Sequence, residues 1–188
     1  MSDPEIIKNI LEGNIADYRL IIEKFQNQIF RVAIGFVHNK EDAEEITQDV
    51  FVKAFRNLAS FSGKSSFSTW LYRIAVNQSI NFLRSKKRKN VWEAIDSIFN
   101  LSSKEKKPDE GLELKDMTSM LKNALDNLPV SQKTAFILSK YEELNQKQIA
   151  IIMNSSEGAV EQLIFRAKNN LRKQLSGRKN IKTRLSNI

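Results

Sequence analysis

The sequence predicts an all-α protein of two small helical domains joined by a flexible linker. Three observations lead there. Glycine and proline are scarce, 6 and 3 among 188 residues, and strong helix formers fill the positions between apolar residues. Apolar side chains recur every three or four positions along most of the chain, and no stretch alternates with period two for long enough to make a strand. A polar, proline-broken run, Ser102 to Asp109, interrupts that periodicity. The expected organisation is a first domain over 1–90, a linker over 91–115, a second domain over 116–176 and a basic tail over 177–188.

Residues 14–37 predict one long amphipathic helix or a helix pair, capped by Asn14, with Tyr18, Ile21, Ile22, Phe25, Ile29, Ala33 and Phe36 inward. His38-Asn39-Lys40 breaks it. A second helix follows, capped by Asn39 or Asp42. It turns Ala43, Ile46, Val50, Ala54 and Leu58 inward, with Phe51 and Phe55 widening the stripe. Phe61 to Ser66 reads as a turn and Ser66 to Arg88 as a third helix. Val91, Trp92, Ile95, Ile98 and Phe99 suit a short helix before the linker. Beyond it, Met117, Met120, Leu121, Ala124, Leu125 and Leu128 define a helix ended by Pro129. Ser131 is expected to cap the next, which carries Ala135, Phe136 and Leu138. The tail from Gly177 is expected to fray.

The last two helices read as a helix-turn-helix. Asn145 with Gln148 makes a loose capping box, and Ile149, Ala150 and Met153 face inward. Ala150 is small where two helices must cross closely. Asn154 suits a left-handed turn residue, and Ser155 or Ser156 caps the following helix. That helix buries Val160, Ile164, Ala167 and Leu171 and turns Gly158, Gln162, Phe165, Arg166, Asn169 and Lys173 outward. In a major groove Gln162 suits adenine, Arg166 a phosphate or guanine, and Phe165 a thymine methyl. An ordinary helical hairpin is the competing reading.

Charge supports a nucleic-acid partner. The net charge is +8, and it is unevenly placed. Residues 81–89 hold five basic and no acidic side chains; residues 130–188 hold eleven basic and four acidic; the stretch between is net acidic. Such zones neutralise phosphates and release counterions. With no cysteine, disulfides and thiolate zinc sites are excluded. No apolar run is long enough to cross a bilayer and the polar start is no signal peptide, so a cytoplasmic chain without membrane insertion is expected. A single histidine, His38, and no phosphate loop argue against an enzyme, a metal site or a cofactor.

Several segments resemble known ones. Asp42-Ala43-Glu44-Glu45-Ile46-Thr47-Gln48-Asp49-Val50-Phe51 is similar to the polymerase-binding helix of sigma region 2. Phe67-Ser68-Thr69-Trp70-Leu71-Tyr72-Arg73-Ile74-Ala75-Val76-Asn77 is similar to the promoter-melting helix that follows it. Leu128-Pro129, Gly158-Ala159-Val160 and Arg166-Ala167-Lys168-Asn169-Asn170-Leu171 resemble region 4. The segments occur in the family's order and cover roughly residues 15–175. The chain resembles an RNA polymerase sigma factor of the extracytoplasmic-function (ECF) group, and its length lacks room for the extra regions of housekeeping sigma factors.

The resemblance implies a protein that binds core RNA polymerase, directs it to promoter DNA and helps open the duplex, with no bond change of its own. It implies polymerase contacts at Asp42, Glu45, Gln48, Asp49 and Phe51. It implies −10 contacts at Phe61, Lys64, Phe67, Trp70, Arg73, Asn77, Asn81, Arg84 and Lys87, the turn and Asn77 holding a flipped base. Trp70 suits the core equally well. It places −35 contacts at Gly158, Gln162, Phe165, Arg166, Lys168, Asn169 and Lys173, and allows an anti-sigma factor as a further partner. Recognition helices of this group usually carry several basic residues where this chain has Glu161, Gln162 and Leu163. The rivals are a transcription regulator that never joins polymerase, and an interaction protein such as a decoy or RNA-binding adaptor, which the run Lys86–Lys89 permits.

Overall fold

The computed structural model describes the backbone of residues 1–99 and 112–185 and the side chains of 1–89 and 117–176. Among the described residues, eight α-helices follow in order: α1 Asp3–Leu11, α2 Tyr18–Val37, α3 Lys40–Arg56, α4 Phe67–Phe99, α5 Leu112–Asp126, α6 Val130–Tyr141, α7 Gln146–Met153 and α8 Glu157–Leu185. Single 3-10 turns at Ile15–Asp17 and Leu58–Ser60 precede α2 and follow α3. Among the described residues there is no strand.

α2, α3 and α4 pack on one another, and α1 lies against α2. Ile21, Ile29, Phe36, Ile46, Val50 and Leu71 are fully enclosed between them. α1 was not expected from the sequence. It buries Ile6, Ile7 and Ile10, and its start is fixed by the Ser2 N–H donating to Glu5 Oε2 at 2.7 Å. α2 stops at His38, whose backbone is left-handed at φ 55°, and the His38 N–H closes the last turn on the Ile34 carbonyl. Asn39 caps α3 by accepting the Asp42 N–H at 2.8 Å. Tyr18 ties α2 to α3 by donating its hydroxyl to the Phe51 carbonyl at 2.7 Å.

Five other expectations need correction. The Asn14 side chain makes no cap; the chain enters α2 through the first 3-10 turn instead. Leu58 is buried, but in the second 3-10 turn and not in α3. α6 begins at Val130, not after Ser131, with Pro129 at its cap position and no side-chain cap. The third helix runs through Phe99 as one element, and α8 continues to Leu185 where fraying was expected.

The two helical units are not merely tethered. One apolar cluster runs from α1–α4 into α6, α7 and α8, while Ala124, Leu125, Leu128, Ala167 and Leu171 form a smaller core of their own. Gly35 on α2 lets α6 approach: a Cβ there would sit 3.0 Å from Ile137 Cγ2. Polar groups fasten the junction around this contact. Lys133 is buried and its ammonium donates to the Phe36 carbonyl at 2.8 Å and to Asp126 Oδ1 at 2.6 Å. His38 Nε2 lies 3.2 Å from the same Asp126 oxygen. The Glu142 carboxylate, 1% exposed, receives Arg31 and the Tyr72 hydroxyl from the first unit.

Candidate nucleic-acid interface

Three faces carry the residues singled out from the sequence. The first is α3. Its inward stripe is Ala43, Ile46, Val50, Phe51 and Ala54, all buried. Glu45, Gln48 and Asp49 are exposed. Asp42 is partly buried and ion-paired with Lys86 of α4. Phe51 is 5% exposed and supports the face from beneath. Phe55, expected to widen the inward stripe, is instead exposed, and sequence reasoning missed Val52; beside Gln48 the two wall an open groove with Ile15, Ile22 and Tyr18. The signal was readable, since Val52 and Phe55 follow Gln48 at i+4 and i+7.

The second face begins at the turn before α4. Gly63 takes φ +70°, and Ser66 caps α4 by accepting the Thr69 N–H at 3.2 Å. This puts Phe61, Phe67 and Trp70 in one aromatic cluster with ring centroids 5.4–5.5 Å apart. Phe67 is 3% exposed and also meets Phe25, so it is the floor of the cluster. Phe61 and Trp70 are partly exposed above it. Trp70 thus packs on the core and reaches solvent at once. Lys64 stands exposed on the turn. Arg73, Asn77, Asn81, Arg84 and Lys87 follow along α4, all exposed. Arg73 Nη2 is engaged by the Ile151 carbonyl of α7.

The third face is α8. Asn145 and Gln148 form a reciprocal capping box at 2.9 and 3.0 Å, which fixes the start of α7. Asn154 turns left-handed at φ 51°, and the Ser155 N–H closes on the Ala150 carbonyl at 2.9 Å. Ser156 then caps α8 by accepting the Ala159 N–H at 3.2 Å. Val160, Ile164, Ala167 and Leu171 are buried against the neighbouring helices. That locks the helix azimuth and turns Gly158, Gln162, Phe165, Arg166, Lys168 and Lys173 to solvent. Phe165 is 60% exposed and sets an apolar ring on this face. Asn169 is partly buried and accepts from Arg172. Leu163 packs on the core and Glu161 is exposed.

The arrangement offers donors, a stacking surface and cations on two faces, and an acidic face on a third. Among the described residues no group of three or more His, Cys, Asp or Glu side chains is gathered to hold a metal, and no helix is long and apolar enough to cross a membrane.

The family described as Sigma-70 region 2 matches residues 21–89, and Sigma-70, region 4 matches residues 118–171. The chain is 32% identical over 180 residues to the ECF RNA polymerase sigma-E factor of Haemophilus influenzae, covering 89% of this chain and 92% of that one. It is 28% identical over 184 residues to the RNA polymerase sigma-H factor of Pseudomonas aeruginosa, covering 92% and 93%. Its fold is similar to that of CnrH solved in complex with the cytosolic domain of CnrY, at a TM-score of 0.69 and 19% identity over 93% of this chain and 97% of that one. It is also similar to the sigma factor RpoE solved with the anti-sigma factor NepR from Bartonella quintana, at a TM-score of 0.60 and 26% identity over 85% and 97%. With both sigma regions matched in order and relatives aligned over nearly their whole lengths, the chain belongs to the ECF sigma factors, which direct transcription initiation.

Proposed function

We propose that this chain binds core RNA polymerase through α3, sets α8 in the major groove of the −35 element, and uses the Phe61–Trp70 cluster with α4 to bind and help open the −10 element. The observation that carries this reading is the presence of all three faces on one chain. A repressor needs the third face alone.

The exposed Glu45, Gln48 and Asp49, with Asp42 at their edge, suit a basic partner, and complementary charge steers such an encounter. Val52 and Phe55 add apolar area for the same partner. Phe61 and Trp70 offer rings on which an unstacked base can rest, and Asn77 and Asn81 offer amides one turn apart to meet its edge. Phe67 serves that site as its floor. Arg84 and Lys87 continue the stripe toward phosphates. On α8, Gln162 and Phe165 point to base edges while Arg166, Lys168 and Lys173 flank them for phosphates, with Gly158 and Asn169 completing the surface. An anti-sigma factor is a further partner, by analogy with the relative solved with one. The expected domains remain 1–90 and 116–176. The expected compartment is the cytoplasm, and no catalysis is assigned.

The test is run-off transcription with purified chain, core polymerase and promoter fragments. A promoter-dependent transcript supports the reading; its absence with the intact chain overturns it. Gln48→Ala with Asp49→Ala should weaken polymerase pull-down more than DNA gel shift. Equal effects on both would remove α3 from its role.

A further inference from the structure

The carboxylate of Glu161 has no evident task within the protein. It is exposed, and among the described residues it has no hydrogen-bond or ion-pair partner. It lies in the second turn of α8, past the first turn where an acid gains from the helix dipole. Its i+3 and i+4 neighbours are Ile164 and Phe165, so no cation pairs with it along the helix. Yet it stands on the face that would meet DNA. Gly158, Glu161, Gln162 and Phe165 fall at i, i+3, i+4 and i+7, with Glu161 and Gln162 on either side of the line through Gly158 and Phe165. A Cβ on Gly158 would meet nothing within 4 Å, so the first turn leaves open space for base edges to come close.

A lone carboxylate between phosphate strands is repelled unless a donor faces it. Of the major-groove edges, guanine offers only acceptors, as does thymine beside its methyl, whereas cytosine offers its N4 amino group. Adenine offers one donor beside an acceptor, which matches an amide such as Gln162.

We propose that Glu161 is a specificity-determining residue that accepts a hydrogen bond from a cytosine amino group in the upstream promoter element, beside an adenine read by Gln162. The proposal rests on the assignment of α8 to that element. It makes Glu161 a selector whose removal raises affinity for wrong sequences while lowering discrimination, because the repulsion goes with the contact.

The experiment is recovery of bound sequences from duplexes randomised across the promoter region, using the full chain with core polymerase. Wild type should favour cytosine over guanine at one upstream position by about tenfold or more. Glu161→Gln should level that preference and bind non-cognate duplexes more tightly, and Glu161→Arg should invert it toward guanine. If both variants keep the wild-type base preference, the role of Glu161 is overturned and α8 remains the reader. If wild type shows no upstream preference, or Phe165→Ala with Arg166→Ala leaves it intact, the assignment of α8 itself fails.

Discussion

The guanidinium of Arg31 grips the carboxylate of Glu142 across the junction of the two helical units, with Nε at 2.7 Å and Nη2 at 3.0 Å. The acid side is enclosed while Arg31 is half exposed. Tyr72 adds its hydroxyl at 2.7 Å, and burial together with the carboxylate pushes that phenol up from its ordinary value. Arg31 and Tyr72 reside on α2 and α4, and Glu142 sits between α6 and α7, so this cluster is a clasp between units.

Arg31→Ala is expected to loosen the clasp more than Glu142→Gln. The first leaves a buried charge with one donor; the second leaves a neutral amide and an arginine that water can reach. Removing a partner from a fully buried pair costs about 3–5 kcal/mol, and the exposure of Arg31 reduces this to roughly 1–3 kcal/mol. The chain has no cysteine, so a pair introduced at Glu23 and Lys147 can carry fluorophores. Energy transfer between them should fall further for Arg31→Ala. The opposite order would show that the carboxylate is not held by these donors.

Gly35→Leu is expected to separate the units without unfolding the first. A side chain at this position collides with Ile137, while leucine is a better helix former than glycine by roughly 0.8 kcal/mol. Lower energy transfer with undiminished helical circular dichroism is the expected pair of results. Ile137→Ala in the same chain should restore part of the contact.

Acid is expected to weaken the junction through His38. Burial and then repulsion by Lys133 hold its pKa below the ordinary 6.5, with Asp126 opposing the shift and Lys122 adding to it. The group is thus neutral in the packed state. Its contribution is complete above pH 6.5 and declines as pH falls from there toward the lowered value, because the unpacked chain takes up the proton first. The melting temperature should drop between pH 7.5 and 5.5, and His38→Asn, which tolerates the left-handed backbone, should reduce that drop. An unchanged drop in the variant would place the titration elsewhere.

Phe67→Ala is expected to destabilise the first unit by about 3–5 kcal/mol, as a buried aromatic lost to a cavity. Phe61→Ala, at a partly exposed ring, should cost much less in thermal unfolding. If the two cost the same, Phe67 is not the floor of the cluster.

The readable parts of this fold are those settled within a few residues. Asn39, Asn145 with Gln148, and Asn154 announce the ends of α2, α3, α7 and α8 because capping is local chemistry. The buried stripe from Val160 to Leu171 follows from helical spacing alone. α1 escaped notice although its Ser2–Glu5 cap signal is present, since nine residues offer little periodicity. The junction was illegible for a different reason. Lys133 and Glu142 look like solvated charges, and their partners lie 97 and 111 residues away. Whether Phe67 is exposed or forms the floor of its cluster was equally hidden, because both places accept an aromatic ring.

The bond from Arg73 to the Ile151 carbonyl ties α4 to α7 at a residue of the stripe proposed to meet the −10 element. Under the role proposed for α4, the Arg73 donor committed to α7 is withheld from nucleic acid, so docking of the two units and use of that donor by DNA would compete. By linkage the competition is reciprocal: whatever draws Arg73 outward favours parting of the units, and whatever parts them frees Arg73. On that proposed role, DNA affinity measured on the isolated chain would fall short of the parted form's by the fraction of molecules already parted.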